Sequence, residues 1–443
     1  MIMINDGNVI EAVNANPKET MFRVNTTDPV VLEGRFNARE QPCDIDFNNM
    51  DVGFAGVLNV GKNVRLLHAW MRATTPNSML RFYFSHGAAI CGCDVTFSSL
   101  AGRCFVHNSD NVEMQDTNLH NGQQSIVPAG TTKGLKLTNV ECTGNCATIS
   151  GVLKGAVIDR LVARDCAQAH PGNNAHYGFI HPHSTADRLC AWHAIERTLS
   201  NLRNVSNRNP YALIEAPTHV RVGDDVYTVV RYGAGVCEID GSLQDFDGDV
   251  IVKFIQPCFI DSTVINSDAI NCGNKDANTN YTYIGLEGAA SGLIAGGMFK
   301  DSYCATQQPV AIYGETRGLV IANLLVAPKY DDGLRGIIVS KMMNPMMIHD
   351  LQIVNNHVPI IDLNGLHIDL SSNSQTGQPF MPTTPHPLYP VDRHGYPVVQ
   401  TGATQPEPVI VVPPTKTMRA ELVGGGRVTL EGVTSMKELP EVL

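Results

Sequence analysis

The sequence predicts an all-β chain that coils as a parallel β-helix, a solenoid followed by a proline-rich C-terminal arm and a small β element. The first observation is an eight-residue pattern with apolar residues at its first, third, sixth and eighth positions: Leu135, Leu137, Val140 and Cys142. On either side of a three-residue step, apolar and polar residues alternate with a period of two, which indicates strands and not helices. Recurrence of such a pattern at intervals of about 20–30 residues is typical of solenoids.

Further copies of the pattern, with a shorter apolar run ahead of each copy, extend the repeat over most of the chain. The copies begin at residues 64, 88, 112, 156, 258, 319 and 346, with a weaker copy at 293. The shorter runs centre on Phe105, Ile126, Ile149, Ile180, Ile214, Ile251, Ile284, Ile312, Ile338 and Ile361. One such repeat cannot bury its own apolar face, so neighbouring repeats must stack. We expect about eleven to thirteen rungs over residues 30–370, with the following side chains inward: Leu135, Leu137, Val140, Ile321 and Ile348.

Composition agrees with many short strands and excludes two classes of partner. The 443 residues include 39 glycines, and only 6% are aromatic, which suits strands joined by turns. A net charge of −11 argues against nucleic acid as a partner. No apolar run is long enough to span a membrane, so no membrane insertion is expected. The first residues lack the pattern of a signal peptide, which predicts an intact cytoplasmic start.

The twelve cysteines are expected to be reduced thiols, because the chain shows no signal for export. Cys93, Cys142 and Cys258 fall at inward positions of the repeat, where cysteine packs as a small apolar side chain. Alternation would turn Cys91 and Cys93 to the same face, but no second pair stands at ligand spacing. The acidic stretch 238–249 resembles the start of a calcium loop, but its glycine comes too early, and a solvated turn is the other interpretation. We therefore predict no metal and no cofactor.

Changes in composition set the remaining boundaries. Residues 1–30 are expected to cap the open end of the stack or to attach the protein to a larger assembly. The β-helix is assigned to 31–370 and is followed by a linker arm over 371–417, where dense proline removes the N–H donors that a sheet needs. Residues 418–443 read as two strands around a glycine turn. This element is too small to fold alone, so we expect it to join neighbouring chains in a homotrimer.

Rung length increases in the middle of the chain. Successive strands are 21 and 23 residues apart between Phe105 and Ile149, but 31, 34, 37 and 33 residues apart between Ile149 and Ile284. Uniform stacking needs none of this excess, which must leave the solenoid as loops on one side. Such insertions in solenoids map to the binding face. We therefore expect the ligand site here.

Histidines and aromatic residues are concentrated in the same part of the chain. The histidines are His170, His176, His181, His183 and His193. Two of them, His181 and His183, could present imidazoles to a metal; the alternative is a polar loop whose histidines bond locally or bind sugar. Flat aromatic rings nearby offer faces on which sugar rings can rest. The predicted ligand-binding residues are Tyr177, His181, His183, Trp192, Tyr211 and Tyr232.

A pair of carboxylates gives the catalytic hypothesis. Aligning the repeats on Ile284 and Ile312 places Glu287 and Glu315 at the same position of successive rungs, about 4.8 Å apart. Two carboxylates at that spacing fit the acid and the nucleophile of a retaining glycosidase. The alternative is a ladder of turn residues whose charge is relieved by Lys341 on the next rung. Glu287 and Glu315 are the predicted catalytic residues.

The runs GLKLTNVEC and GLVIANLLV, together with the long middle loops, resemble the right-handed β-helix of the pectin-lyase-like superfamily. Together with the cap-like start and the proline-rich C-terminal β segment, the layout is most similar to that of bacteriophage tailspikes. The resemblance covers about residues 30–370. The resemblance implies a parallel homotrimer that is assembled in the cytoplasm of a bacterial host and mounted on the virion. It also implies binding, and often cleavage, of a host surface polysaccharide. No catalytic motif of the superfamily is matched residue by residue.

Three functions follow as hypotheses. The first is a virion receptor-binding spike that recognises surface glycan. The second is a polysaccharide depolymerase, either a hydrolase or a lyase, on the same scaffold. The third is a structural virion component whose loops bind other tail or baseplate proteins. Aromatic residues beside a carboxylate pair would favour the enzyme, whereas apolar loop tips would favour the structural component.

Overall fold

Every regular element that the structure describes is a β-strand. The computed structural model describes residues 2–4, 12–16, 19–24, 29–38, 42–98, 102–145, 147–168, 177–181, 186–210, 213, 216–223, 225–275, 281–304, 309–312, 314–327, 329, 337–339, 348–349, 351–354, 356, 360–363, 366–369, 418–421 and 427–431. Within these residues no helix is long and apolar enough to cross a membrane.

The strands fall into three groups along the chain. The first group is β1 (Ile2–Ile4), β2 (Ala12–Asn16), β3 (Glu19–Arg23), β4 (Val30–Phe36), β5 (Cys43–Val60), β6 (Val64–Ala73), β7 (Met79–Tyr83), β8 (Ala89–Cys91), β9 (Asp94–Thr96), β10 (Arg103–His107), β11 (Glu113–His120), β12 (Gln124–Ala129), β13 (Lys136–Thr143), β14 (Ala147–Ile149), β15 (Leu153–Lys154), β16 (Val157–Arg164) and β17 (Tyr177–Ile180). The second is β18 (Ala186–His193), β19 (Thr198–Asn204), β20 (His219–Val222), β21 (Asp225–Gly233), β22 (Val236–Ile239) and β23 (Gly248–Ile255). The third is β24 (Pro257–Ile265), β25 (Asp268–Ile270), β26 (Tyr281–Leu286), β27 (Ala289–Ala295), β28 (Met298–Lys300), β29 (Val310–Ile312), β30 (Thr316–Ala322), β31 (Leu325–Ala327), β32 (Ile337–Val339), β33 (Ile348–His349), β34 (Leu351–Val354), β35 (Ile360–Leu363), β36 (Leu366–Asp369), β37 (Met418–Glu421) and β38 (Arg427–Glu431).

Apart from the antiparallel pairs β2–β3, β35–β36 and β37–β38, the first and third groups stack in parallel as a β-solenoid of about 11 turns, which confirms the predicted fold class. Three sheets run along most of it, and a shorter ladder joins β15 to the N-terminal ends of β24, β27 and β30. The first sheet contains β8, the N-terminal halves of β6, β11, β13 and β16, and the C-terminal ends of β24, β27 and β30. The second contains the C-terminal halves of β6, β11, β13 and β16 with β9, β25, β28 and β31. The third contains β7, β10, β12, β14, β17, β26, β29 and β32.

The three-residue step of the pattern is a sharp bend between the first and second sheets. Its central residue adopts a left-handed conformation on successive rungs: φ is +61° at Gly92, +48° at Asp116, +54° at Asn139 and +55° at Arg160. Glycine, asparagine and aspartate adopt this conformation most readily, which explains the polar residues inside the step. The bend also corrects one expectation. Because Gly92 interrupts the alternation, Cys91 and Cys93 do not share a face: Cys93 is in the core and Cys91 is half-buried.

Apolar side chains from the three sheets fill the interior. Leu135, Leu137, Val140 and Ile321 are at most 1% exposed, as predicted. Ile348 lies in β33, and its side chain is outside the described residues. Small polar residues also point inward, where each satisfies backbone carbonyls at a bend. Ser109, for example, donates its hydroxyl to the carbonyl oxygens of His107 and Phe82, at 2.9 and 3.1 Å.

Inward cysteines have the same double use. Cys93 donates its thiol to the carbonyl oxygen of Leu66 at 3.5 Å while its sulfur packs in the core. Cys142 and Cys258 are also fully buried, as predicted from their places in the repeat. Burial raises the pKa of the Cys93 thiol to about 12, so this group stays protonated. The eleven cysteines that the structure describes are free thiols.

The second group of strands interrupts the solenoid. β18–β23 pair antiparallel and close into a barrel in the order β18-β19-β22-β21-β20-β23. The solenoid continues beneath it, because β17 pairs directly with β26 and β16 pairs directly with β24. The expected rung centred on Ile251 is therefore wrong: this residue lies in β23 of the barrel and is 54% exposed. Ile214, the centre of the other expected rung, lies outside the described residues.

The barrel has an apolar core of its own. Trp192, Leu199, Val220 and Phe254 are each at most 1% exposed and belong to one cluster, separate from the core of the solenoid. Between Ile180 and Ile284 the excess chain length is thus chiefly one inserted folded unit and not a series of loops. Alternation with a period of two is common to parallel and antiparallel strands, so the pattern alone did not separate the two.

The terminal segments add strands to the ends of the stack. β1 pairs with β4, and β3, the second strand of a hairpin with β2, pairs with β5. At the other end, β37 and β38 form the predicted hairpin, and β38 pairs in parallel with β34 of the same chain. The proline-rich segment 371–417 lies outside the described residues. Trimer formation through the C-terminal element stays a prediction.

Candidate functional site

A polar group is buried where the barrel meets the connections that follow strands of the third sheet. It contains His181, which directly follows β17, Glu287 after β26, Glu315 before β30, and His219 in the first position of β20. His219 belongs to the barrel, and the other three belong to the solenoid. We refer to these four residues as the junction group.

The first half of the junction group is a pair formed by His181 and Glu287. The imidazole Nε2 lies 3.4 Å from Glu287 Oε1, and the two side chains are 8% and 28% exposed. The Cδ2–Nε2 edge of the histidine ring lies closest to Gly285 on the adjacent rung, where an added Cβ would collide with it. Glycine at position 285 therefore makes room for the ring and holds it beside the carboxylate.

The second half is centred on Glu315, whose side chain is only 1% exposed. Its Oε1 accepts a hydrogen bond from Arg317, a residue whose side chain is 72% exposed. Its Oε2 lies 3.5 Å from Nδ1 of His219, longer than a normal hydrogen bond, and has no hydrogen-bond partner among the described residues. The hydroxyl of Thr316 beside it is also buried and has no hydrogen-bond partner in the part of the chain that the structure describes. A buried carboxylate oxygen without a donor is uncommon and costly, which singles out this position.

Register corrects the expected stacking of the two carboxylates. Leu286, not Ile284, pairs with Ile312, and Ala290 donates its N–H to the carbonyl oxygen of Glu315 at 2.7 Å. Glu315 therefore lies beside Ala289 and Ala290, and Glu287 is displaced from it along the strand as well as by one rung. The stacked arrangement that the alignment predicted is absent. Lys341, proposed as the relief of that ladder, lies outside the described residues.

The structure places the predicted ligand-binding residues in different surroundings. Trp192 is a core residue of the barrel: it is fully buried and donates its indole N–H to the Gln244 carbonyl at 3.0 Å, so it has no exposed face for a sugar. Tyr232 is half-buried and packs against the same core. Burial raises the pKa of its hydroxyl. Tyr177 begins β17, but its side chain is outside the described residues, as are His183 and Tyr211.

No group of three or more histidine, cysteine or acidic side chains that could hold a metal ion occurs within the described ranges. The acidic stretch 238–249 makes local bonds instead. Asp240 accepts the N–H of Thr228 at 2.8 Å, and Asp249 pairs with Arg203 at 2.6 Å. This stretch runs from the end of β22 to the start of β23, and the two bonds join it to neighbouring strands of the barrel.

Sequence reasoning missed His219 and Arg317. Arg317 follows Glu315 by two residues, the interval that turns two strand side chains to one face, so this neighbour had a local signal. His219 comes from a strand of the inserted barrel, and nothing in the repeat pattern connects it with a residue almost a hundred positions later.

Chemically, the junction group offers two carboxylates, each with the imidazole of a histidine within 3.5 Å. No protein-family model matches the chain, and no curated protein matches it. Among solved structures, one similar to it is the catalytic domain of a GH87 alpha-1,3-glucanase in complex with nigerose. The identity is 11% and the TM-score 0.41, and the similarity covers 84% of this chain and 64% of that one. The chain thus spans less than two thirds of that structure, and a similarity at this level bears on neither activity nor ligand.

Proposed function

We propose that the protein is a host-surface-binding spike of a virus particle that recognises glycan, with the solenoid as a rigid scaffold and the barrel as the recognition module. The observation that carries this proposal is the insertion of a separately cored barrel into a single turn of an otherwise regular stack. Uniform stacking needs no such unit. Units inserted in solenoids present binding surfaces, because the scaffold holds them without having to change its own core.

Exposed apolar side chains are concentrated on the barrel. Of the ten large apolar side chains that are exposed in the described residues, six lie between residues 186 and 255. Ile195 is 92% exposed and Phe246 is 69% exposed. Their turns are tied together, since Ala194 donates its N–H to Asp247 at 2.8 Å. An apolar patch rimmed by polar residues marks an interaction surface, and the face of Phe246 suits a sugar ring.

Adsorption of the full-length protein to bacterial cells tests this assignment. We expect the double variant Ile195→Ser/Phe246→Ser to bind host cells and their isolated capsule or lipopolysaccharide at least about tenfold more weakly, because two exposed apolar contacts are lost. The matched control is Val157→Ser, a 47% exposed apolar residue on the solenoid, which should leave adsorption unchanged. Equal adsorption by all three proteins would contradict the role of the barrel. Binding of virion proteins, but not of glycan or cells, would identify a structural component instead.

A second function, glycan hydrolysis, is favoured by the junction group. Each carboxylate has an imidazole beside it, and the shifted register favours the wider carboxyl separation of an inverting glycosidase, about 6.5–9.5 Å, over that of a retaining enzyme. In such a reaction one carboxylate deprotonates the attacking water, and the other carboxyl group protonates the departing glycosidic oxygen. Arg317 donates a hydrogen bond to the buried Glu315 and is itself 72% exposed, so it links this carboxylate to the protein surface.

Release of oligosaccharide from the same capsule or lipopolysaccharide tests the hydrolase. Glu315→Gln preserves the shape of the side chain and removes the ionisable group, so hydrolysis should stop while glycan binding persists. Arg203→Gln, which breaks a carboxylate pair elsewhere on the barrel, is the control and should leave release unchanged. No release by the unaltered protein from any glycan that it binds would leave the binding spike as the function.

A further inference from the structure

The outer face of the third sheet carries a row of arginine and aromatic side chains on its N-terminal rungs. Register places Arg35, Asn59, Arg81 and Phe105 side by side on successive strands. Tyr83 follows Arg81 by two residues and therefore projects from the same face. We call the group Arg35, Arg81, Tyr83, Arg103 and Phe105 the arginine–aromatic strip. Neighbouring rungs are about 4.8 Å apart, so the strip is a continuous surface and not a set of isolated residues.

Contacts within the strip hold its side chains in place. The guanidinium of Arg81 lies 4.0 Å from the centre of the Tyr83 ring, and that of Arg103 lies 5.8 Å from the centre of Phe105. Arg35 donates a hydrogen bond to the carbonyl oxygen of Tyr83 at 3.1 Å. Phe84, 56% exposed, lies against Tyr83 with ring centres 4.3 Å apart. The cations are thus positioned by aromatic faces and backbone oxygens.

The other two outer faces of the solenoid differ in their charges. On the first sheet, Lys136 pairs with Glu113 at 2.7 Å on the preceding rung. On the second sheet, Arg164 pairs with Glu141 at 3.2 Å. Opposite charges on successive rungs thus neutralise each other there.

The strip has no such neutralisation. Among the described residues, no carboxylate lies within salt-bridge distance of Arg35, Arg81 or Arg103, although the chain as a whole carries a net charge of −11. Burial lowers the pKa of His107 beside the strip, and the charge of Arg81 lowers it further. The second cause agrees with a local excess of positive charge. Three cations left unpaired on one face of an acidic protein are complementary to an anionic ligand.

We infer that the arginine–aromatic strip binds a carboxylated polysaccharide, with guanidinium groups on its carboxylates and Tyr83 and Phe105 against its sugar rings. This inference rests on the proposed glycan-binding function and adds a ligand class and a site separate from the barrel. Arginine forms planar paired hydrogen bonds with carboxylates, and an extended row of cations and rings matches an extended chain better than a compact anion.

The test measures binding of the full-length protein to an alginate oligomer, which carries a carboxylate on every sugar, and to its carboxyl-reduced neutral counterpart. We expect the acidic oligomer alone to bind, and its affinity to fall as salt rises. Arg81→Gln/Arg103→Gln should lower the affinity about tenfold or more. Arg81→Lys, which keeps the positive charge, should lower the affinity less than the double variant does. The matched control Arg72→Gln removes an exposed arginine that is paired with Asp51 and should have no effect.

The outcomes separate this inference from the proposed function. Equal binding of both oligomers, or unchanged binding by Arg81→Gln/Arg103→Gln, would contradict the proposal that the strip binds a carboxylated polysaccharide. If the same double variant instead shifts the sedimentation of the protein to a smaller species, the strip contacts a second copy of this chain, and the inference is wrong. Loss of cell adsorption in Ile195→Ser/Phe246→Ser with alginate binding retained supports two separate surfaces. Adsorption through the barrel without any alginate binding contradicts the proposed ligand of the strip and leaves the proposed role of the barrel in place.

Discussion

The solenoid and the inserted barrel use the same local ingredient, short strands with alternating apolar residues, to build two different bodies. In the solenoid each strand pairs in parallel with its equivalent on the next rung, so Leu137 has Met114 on one side and Ile158 on the other. In the barrel, antiparallel strands close on themselves around Trp192. The solenoid repeats, whereas the barrel occurs once.

The difference between the repeating solenoid and the single barrel indicates which of the two makes specific contacts with a ligand. A repeating stack can be lengthened without altering its core, so the residues of its interior serve packing that is much the same on every rung. The barrel instead interrupts one turn, brings His219 to Glu315, and exposes Ile195 and Phe246. Loss of a solenoid residue should therefore affect neighbouring rungs, whereas loss of a barrel residue should stay within the barrel.

Removal of core side chains tests this independence with the largest expected effects. Trp192→Ala should destabilise the barrel by about 3–5 kcal/mol, and Leu137→Ala should destabilise the solenoid by about 2–5 kcal/mol, because each leaves a cavity in a fully buried position. Hydrogen exchange followed by mass spectrometry should show faster exchange over 186–255 in the first variant and over rungs near 113–164 in the second. Faster exchange in both regions from either substitution would mean that the two cores unfold as one.

A pH-dependent effect on stability is expected for the solenoid. Burial raises the pKa of Asp268 in β25 to about 7 from an ordinary 3.8, while its Oδ1 accepts the N–H of Met298 at 2.9 Å. The folded state therefore holds more protons than the unfolded state between these two values, so stability falls as pH rises through this window and levels off above about 7.

Asp268→Asn keeps the acceptor and cannot ionise, so it should flatten this slope by up to about 1.4 kcal/mol per pH unit. Chemical denaturation at pH 5, 6 and 7 measures it, and the exposed Asp301→Asn serves as the control that should retain the slope. A variant at position 268 with the slope of the unaltered protein would contradict the assignment.

The smallest expected effect concerns the bends that only the solenoid has. Arg160 holds a left-handed φ of +55°, a conformation that the Cβ of arginine makes unfavourable and that glycine adopts without this cost. Its contact with Asp159 at 3.4 Å is partly exposed and contributes little. Arg160→Gly should stabilise the solenoid by about 0.5–1 kcal/mol after the greater freedom of glycine in the unfolded chain is taken into account. Thermal unfolding compares it with Asn139→Gly, where the gain should be smaller because asparagine tolerates this conformation. A loss of stability in Arg160→Gly would show that the arginine contributes more than its backbone costs.

The sequence allowed prediction of the solenoid because each rung repeats the same local information. The positions of Leu135, Leu137 and Val140 follow from spacing alone, and so does the bend at Asn139. The excess length in the middle was located correctly, but its form was not predicted, since a strand such as the one containing Ile251 alternates equally well in an antiparallel barrel.

The candidate site was harder to predict because it depends on register and on long-range contact. Sliding one strand past another by two residues leaves every side chain on its original face, so both Ile284 and Leu286 satisfy the apolar pattern opposite Ile312. The alignment paired Ile284 with Ile312, but in the structure Leu286 pairs with Ile312. The alignment therefore placed Glu287 and Glu315 at equal positions on neighbouring rungs, whereas the observed register displaces them along the strand.

Excision of the barrel is the most direct test of its role as a recognition module on a self-sufficient scaffold. In this variant a short glycine–serine turn replaces 186–255, and hydrogen exchange and adsorption to host cells are measured on the same preparation. Because β17 already pairs with β26 and β16 with β24, the solenoid should keep its exchange protection, while adsorption should fall at least about tenfold. Lost protection in β16 and β24, or adsorption equal to that of the intact protein, would contradict the account.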